Sequence, residues 1–265
     1  MADMKNLSGV DIFGRRMGLL VSPELCTGCR GCQSACKEWN KLPAEPTRNT
    51  GTYENPPDLS AVTYNRIRFR ELNKQGGGVD WIFSSQRCMH CADAGCLNVC
   101  PAPGALYRTR EGAVGFNQAR CIGCGFCRTA CPFDIPRYDA AGKISKCHMC
   151  EDRIASNMAP LCAKTCPTGA IRYGERDALI AGAKAAGYSN VYGEKELQGM
   201  GVVFAFRRIP EEYEYDAAPD IPPSVSFWTS VLKPLTVAGV TLTVAGSALH
   251  YLTVGPKDDE EGGDQ

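Results

Sequence analysis

One apolar run stands out near the end of the chain. Twenty residues from Leu235 to Val254, LTVAGVTLTVAGSALHYLTV, contain no Asp, Glu, Lys or Arg. That is the length a helix needs to cross the hydrocarbon core of a membrane. Lys233 and Pro234 precede it, Phe227 and Trp228 stand where an aromatic interface belt would lie, and PKDDEEGGDQ closes the chain as a polar tail. Gly239, Thr243 and Gly246 fall on one helix face, with Thr236 and Ser247 close by. Small residues of this kind let a second helix approach closely. Four threonines and one serine keep open a buried helix of a soluble domain. The isolated position behind a linker argues instead for a single anchor, with residues 235–254 in lipid and one face packed on a partner's helices.

Upstream, alternation of period two predicts a hairpin over residues 64–85, with YNRIRFREL and VDWIFSS as strands and GGG at 76–78 in the turn. Ile67 and Phe69 would face inward. Arg66, Arg68 and Arg70 would face outward, as a solvated strand face or a row that docks a partner. ERDALIAGAKAAG, 175–187, reads as a surface helix and GVVFAFRRI, 201–209, as a buried strand. KLPAEPTRNTGTYENPPDL, 41–59, is a Pro-rich connector, and EEYEYDAAPDIPP, 211–223, an acidic Pro-rich linker. The rest is irregular, as expected where metal organises the fold.

Composition changes this picture through one residue type. The 265 residues carry 16 cysteines and no net charge; the basic excess of a nucleic-acid binder is missing, so no nucleic-acid partner is expected. The cysteines fall into four sets of four. Cys26, Cys29, Cys32 and Cys36 form the first, Cys88, Cys91, Cys96 and Cys100 the second, Cys121, Cys124, Cys127 and Cys131 the third, and Cys147, Cys150, Cys162 and Cys166 the fourth. Pro101, Pro132 and Pro167 each follow the last Cys of a set, a habit that Lys37 breaks. Three thiols at two-residue gaps can wrap one four-iron cubane while the next Cys starts a helix turned away from it, and in bacterial ferredoxins that fourth Cys ligates the other cluster of a pair. Structural zinc takes separate C-x-x-C pairs, and disulfides between such near neighbours would be strained. Four [4Fe–4S] clusters are expected.

An internal repeat supports this. LLVSPELCTGCRGCQSAC and VGFNQARCIGCGFCRTACP share an apolar stretch, a turn and the Cys loop, and CPAPGALYRTR and CPTGAIRYGER share a Pro, a Gly and a strand-like run. If fourth cysteines exchange within pairs, the sets associate two by two. Nesting puts the second set with the third and the first with the fourth; spacing leaves the sequential arrangement open.

Catalytic chemistry is not expected in this chain. Of the three histidines, His90 and His148 lie inside Cys loops, as tuning groups rather than surplus ligands. His250 and Tyr251 lie at the end of the apolar run, either as interface anchors or beside a haem or quinone of a partner. Arg15 and Arg16 before MGLLV imitate a twin-arginine signal, but five apolar residues are too few for a signal core and lead straight into a Cys loop.

The four Cys sets together with CKEWN (36–40), CMHC (88–91), KCHMCEDR (146–153), CAKTCPTGAI (162–171) and the segment SFWTSVLKPLTVAG...HYLTVGP resemble the iron–sulfur β subunit of respiratory formate dehydrogenase. The Cys pattern alone is shared by four-cluster subunits of other molybdopterin oxidoreductases and some hydrogenases; CKEWN and the anchor narrow it. The resemblance implies an α+β, loop-rich fold of two ferredoxin-like two-cluster domains plus one C-terminal transmembrane helix. Residues 17–40 and 142–175 would form the first domain, 41–87 the connector and hairpin, and 88–141 the nested second domain. Residues 176–224 would add a helix, strand and linker, 225–256 the anchor and 257–265 the tail. It also implies the ligand sets. Cys26, Cys29, Cys32 and Cys166 would hold the cluster facing the catalytic subunit. Cys88, Cys91, Cys96 and Cys131 would hold the second, Cys100, Cys121, Cys124 and Cys127 the third. Cys36, Cys147, Cys150 and Cys162 would hold the last, nearest the membrane. The implied role is electron transport in anaerobic respiration, from a molybdopterin (Mo or W) α subunit to a haem b γ subunit and quinone. The alternative is the electron-transfer subunit of a membrane hydrogenase or of another molybdopterin oxidoreductase. The implied location is the inner membrane, single-pass, with the soluble part on the periplasmic side and exported on a partner's signal.

Overall fold

Strand β1, Met17–Val21, is the organising element of the computed structural model, which describes residues 16–73 and 76–255. Arg15 and the polar tail 257–265 lie outside the described residues. Further strands are β2 (Asn65–Asn73), β3 (Val79–Arg87), β4 (Leu106–Arg108), β5 (Val114–Phe116), β6 (Arg137–Tyr138), β7 (Ile144–Ser145), β8 (Ile171–Glu175), β9 (Asn190–Tyr192) and β10 (Val202–Phe206). β1 pairs parallel with β10 and antiparallel with β8, and β9 closes the sheet in the order β8-β1-β10-β9. Leu19, Leu20 and every residue of β10 are fully buried, which is why VVFAF reads as a continuous apolar run rather than an alternating one.

The repeat seen in the sequence becomes a repeat of pairing. β1 leads into the Cys26 loop and pairs with β8, which follows Cys166; β5 leads into the Cys121 loop and pairs antiparallel with β4, which follows Cys100. The first set is thereby brought beside the fourth, and the second beside the third. A three-residue 3-10 turn precedes both loops, at Pro23–Leu25 and Gln118–Arg120. Gly28 (φ 66°) and Gly123 (φ 73°) occupy equivalent left-handed positions inside them; a side chain there would be strained. The loop of the second set is stitched to the main sheet, since Val202 N–H donates to Met89 O (3.0 Å) and Gly201 N–H to His90 O (2.9 Å).

β2 and β3 form the expected hairpin, with Phe69 opposite Phe83, and Gly76 to Gly78 all at positive φ in its turn. Ile67 is buried and Phe69 half-buried, as the alternation requires. The arginine row is different from either expectation, because it docks this same chain. Arg66 is buried against Gln86 and Glu54. Arg68 pairs with Glu214 (3.1 Å) and lies over the Tyr215 ring, and Arg70 donates to the carbonyls of Glu211 (3.0 Å) and Glu212 (3.1 Å). The stretch 211–223 is therefore no free linker. Pro210–Tyr213 is a 3-10 turn, Tyr213 and Tyr215 are buried, and Tyr213 stacks on Phe206 with ring centroids 4.4 Å apart. Acidic composition hid two aromatic anchors. The helix expected at 175–187 spans Arg176–Ala185 and buries Ile180 and Ala183 against Leu20 and Val203.

The chain divides into two units between Pro222 and Pro223. The second unit is one helix, Pro223–Val254, whose stretch Trp228–Leu232 is wound as a π-helix, so it starts well before Leu235. By length and composition it can cross a membrane. Its threonines do not need water. Thr241, Thr243 and Thr253 donate to the carbonyls of Val237 (2.8 Å), Gly239 (2.9 Å) and Leu249 (2.8 Å), and Thr236 bonds Leu232 O similarly. Hydroxyls satisfied one turn back are compatible with hydrocarbon.

Gly95 lets the helices of the second and third Cys sets approach closely: a Cβ there would lie 2.4 Å from the Ala130 carbonyl oxygen. Gly95→Ala should destabilise the fold by about 1–3 kcal/mol through overpacking, read as a lower melting temperature with loss of bound iron. Gly182→Ala, where a Cβ meets nothing within 4 Å, should leave both unchanged.

Candidate iron–sulfur sites

Helical spacing explains how sixteen cysteines become four neighbouring groups. Residues four apart on a helix share one face, about 6 Å apart along the axis. Cys32 and Cys36 lie so on helix Gly31–Trp39, and Cys162 on Leu161–Thr165 is followed by Cys166 at its end. Helices Gly95–Asn98 and Phe126–Thr129 present Cys96 before Cys100 and Cys127 before Cys131 in the same way. In each pair the two thiols go to different groups.

Cys26, Cys29, Cys32 and Cys166 line one pocket, walled by Val21, Ile67 and Ile171. Cys100, Cys121, Cys124 and Cys127 line another, walled by Leu106 and Ile144. Cys36 is held far above the usual thiol range by burial and then by Cys147, Cys162 and Cys150, its three companions. Cys91 is raised in the same way by burial and by Cys88, Cys131 and Cys96. Two quartets named from the resemblance thus each line one pocket, and the thiols acting on Cys36 and Cys91 are those of the other two.

Their order is not the expected one. Cys32 of the first quartet packs in one core with Cys162 of the fourth. Cys36 and Cys147 of the fourth pack with Cys88 and Cys131 of the second. Cys91 and Cys96 of the second pack with Cys127, Cys100 and Cys121 of the third. The line runs first, fourth, second, third, so the quartet of Cys36 is internal rather than last. The reason is the chain itself: Cys36 is one helical turn from Cys32 and cannot leave the first quartet's side. Cys29 at one end of the line and Cys124 at the other are exposed, whereas Cys36, Cys147, Cys150 and Cys162 are all buried.

The donor set suits clusters. None of the sixteen cysteines is disulfide-bonded. Among the described residues no three Cys, His, Asp or Glu side chains converge tightly enough for one metal ion, whereas a cubane takes one thiolate on each of four irons. Burial pushes the thiols up, to about 11 for Cys32, Cys131 and Cys150 and about 12 for Cys147, so bare thiolates would be unfavourable here and iron supplies the compensation. Polar hydrogens already point at the sulfurs: Gly123 N–H donates to Cys121 Sγ (3.4 Å) and Met149 N–H to Cys147 Sγ (3.4 Å). Two nitrogens of Arg87 and Nε2 of His90 are buried with no protein partner.

His90 and His148 stand outside the quartets. Val114 N–H donates to His90 Nδ1 (2.9 Å), which puts the ring proton on the orphaned Nε2, and burial followed by the charges of Lys146 and Arg87 holds the imidazole neutral. His148 Nε2–H donates to Asn40 Oδ1 (2.7 Å), and Asn40 Nδ2 donates to Cys36 O (2.8 Å) and reaches Cys36 Sγ (3.6 Å). CKEWN and KCHMCEDR are thus one contact, completed by Trp39 Nε1 donating to Asp152 (2.8 Å) and by Arg153 over the Trp39 ring (4.4 Å). His250 and Tyr251 are exposed near the end of the long helix.

Sequence reasoning missed two side chains. Arg87 and Lys146 are nearly fully buried among the cysteines. Burial opposes the charge of Arg87, but Cys162, Cys147 and Cys32 outweigh it and its pKa is raised. Lys146 Nζ donates to Cys147 O (3.0 Å) and to Val114 O, and lies 3.9 Å from Cys88 Sγ. The available signal was a second repeat, RCMHC against KCHMC, a cation directly before a C-x-x-C pair.

Comparison with known proteins agrees with these sites. The family described as 4Fe-4S dicluster domain matches residues 79–176, and a second family of the same description matches 25–105. The family described as formate dehydrogenase N, transmembrane, matches 221–262. The nitrate-inducible formate dehydrogenase iron-sulfur subunit of Escherichia coli K12 is 39% identical over 96% of this chain and 92% of its own length. The chain belongs to the formate dehydrogenase iron–sulfur subunits. Another member, the formate dehydrogenase-O iron-sulfur subunit of the same organism, is 38% identical over 94% of this chain and 88% of its own length. The hydrogenase-2 operon protein HybA of Escherichia coli O157:H7 is 32% identical over 63% of this chain and 54% of its own length.

Denaturation with a chelator and an alkylating reagent, without reductant, should label all sixteen cysteines by intact mass. Labels missing in pairs would reveal disulfides and contradict the structure.

Proposed function

We propose that the chain is the electron-transfer subunit of a membrane-bound formate dehydrogenase. Each quartet would hold one [4Fe–4S] cluster, supplying reversible one-electron reduction at four neighbouring positions. The ligands are Cys26, Cys29, Cys32 and Cys166; Cys36, Cys147, Cys150 and Cys162; Cys88, Cys91, Cys96 and Cys131; and Cys100, Cys121, Cys124 and Cys127. Two ferredoxin-like units, 17–40 with 142–175 and 88–141, carry them. The observation behind this reading is the contact of neighbouring quartets, first with fourth, fourth with second and second with third, with Cys29 of the first and Cys124 of the third exposed. Donor and acceptor would approach at those exposed ends, with the wholly buried quartet of Cys36 between them. In the family arrangement the quartet of Cys29 meets the molybdopterin (Mo or W) α subunit. The quartet of Cys124 would then be the outlet toward a haem b subunit and quinone, with His250 and Tyr251 beside that partner in the membrane. The soluble part would lie on the periplasmic side of the inner membrane, carried there folded on a partner's signal. The hydrogenase reading has the HybA likeness behind it; the formate reading is favoured by the match of 221–262 to a formate dehydrogenase segment.

The complex, tagged on this chain and isolated anaerobically in mild detergent, should lose visible cluster absorbance on addition of formate and not of hydrogen. Bleaching by hydrogen alone would transfer the chain to a hydrogenase, and bleaching by dithionite alone would remove the formate assignment. Cys150→Ser should leave only the first quartet's absorbance responding quickly to formate. Rapid reduction of the second and third quartets in that variant would contradict the order first, fourth, second, third.

A further inference from the structure

Arg87 and Lys146 occupy matching places in a repeat but do not sit beside their own neighbours. Arg87 precedes Cys88, a member of the second quartet, yet its fully buried guanidinium has Cys162 and Cys147 of the fourth and Cys32 of the first as its strongest electrostatic neighbours. Lys146 precedes Cys147, a member of the fourth, yet its Nζ reaches Cys88 Sγ of the second (3.9 Å) and acts electrostatically on Cys96 and Cys131 of that quartet. Neither side chain has a carboxylate partner among the described residues; Arg87 Nε and Nη1 have no protein partner at all. An unpaired buried cation is costly, so both positions call for negative charge from what the cysteines hold. The placement is selective. The two outer quartets each have an exposed cysteine, Cys29 or Cys124, which water can screen, while the two inner ones have none. Cations stand where solvent cannot reach.

We propose that Arg87 and Lys146 are a crossed pair of fixed counter-charges, each favouring electron acceptance at the quartet its chain neighbour does not belong to: Arg87 at the fourth and its junction with the first, Lys146 at the second. They are positioning residues for electron flow, acting on the inner quartets that would otherwise be hardest to reduce. A buried positive charge near a cluster stabilises its reduced, more negative form, one of the levers by which protein sets potential. This rests on the four-cluster reading above.

The test uses the whole complex, with Arg87→Gln and Lys146→Gln variants titrated electrochemically and followed by EPR, the signals being assigned with Cys150→Ser and Cys96→Ser. Arg87→Gln should lower the midpoint potential of the fourth quartet, and Lys146→Gln that of the second. Each shift should be about tenfold in the reduction equilibrium, about 59 mV for one electron, with the third quartet unmoved. Arg87→Lys and Lys146→Arg should restore the potentials. Unchanged potentials with full iron content would overturn the proposal. So would a shift of the second quartet by Arg87→Gln, or failure of the charge-retaining variants to restore it. Should the glutamine variants not assemble, the unsubstituted complex decides. Selective 15N-arginine labelling should give a nitrogen coupling on the reduced fourth quartet, 15N-lysine one on the second, and absence of both overturns the assignment. Iron for fewer than four clusters in the unsubstituted complex would instead sink the four-cluster reading.

Discussion

One turn of helix separates Cys32 from Cys36, and that short, rigid distance governs the arrangement of the whole molecule. Thiols four residues apart point the same way from one rigid turn. Here Cys32 lines one quartet and Cys36 lies among the thiols of another, so those two quartets must be neighbours. Repeated at Cys96 and Cys100, Cys127 and Cys131, and Cys162 and Cys166, the same constraint couples the quartets in twos. The pairings of β1 with β8 and of β4 with β5 hold those couples together, and packing of Cys36, Cys147 and Cys88 joins the couples into one line. The apolar core of β10 and its aromatic neighbours stabilises the end of the molecule that carries the first quartet.

Electrostatics then decides what surrounds the line. Burial raises thiols in every quartet, Cys32, Cys36, Cys91 and Cys127 among them, which disfavours bare thiolates there, and the protein compensates with backbone N–H groups, a neutral His90 and two buried cations. His148 acts at one remove, through Asn40. The aromatic and arginine contacts that fasten residues 211–215 to the hairpin belong to the same economy of charge: Arg68 and Arg70 bond carbonyls and Arg68 pairs with Glu214, whereas Arg87 is buried among the cysteines.

Much of this was legible in the sequence because cysteine spacing is a direct record of geometry: gaps of two residues mean a loop, and gaps of three mean a helical turn. The long apolar helix, the hairpin and the buried strand at 202–206 were legible for the same reason, their periods being those of the elements. What escaped depended on long-range contacts. The order of the quartets follows from which loops pack together, which spacing does not encode. Tyr213 and Tyr215 were masked by their acidic neighbours. Arg66 alternates outward as predicted and is buried all the same, because Glu54 in the irregular connector folds over it. Arg87 and Lys146 could have been noticed in the RCMHC and KCHMC repeat, but their crossing needs coordinates.

The interleaving of the sets also fixes an order in time. Cys88 to Cys131 are contiguous in the chain, so the second and third quartets have all their thiols once residue 131 has been synthesised. The first quartet lacks Cys166 until much later, and the fourth lacks Cys162, although Cys26 and Cys36 are among the first residues made. During synthesis the N-terminal loop must wait, open at one corner, while the middle of the chain is already able to close. A nascent subunit is thus complete at its centre before it is complete at its beginning.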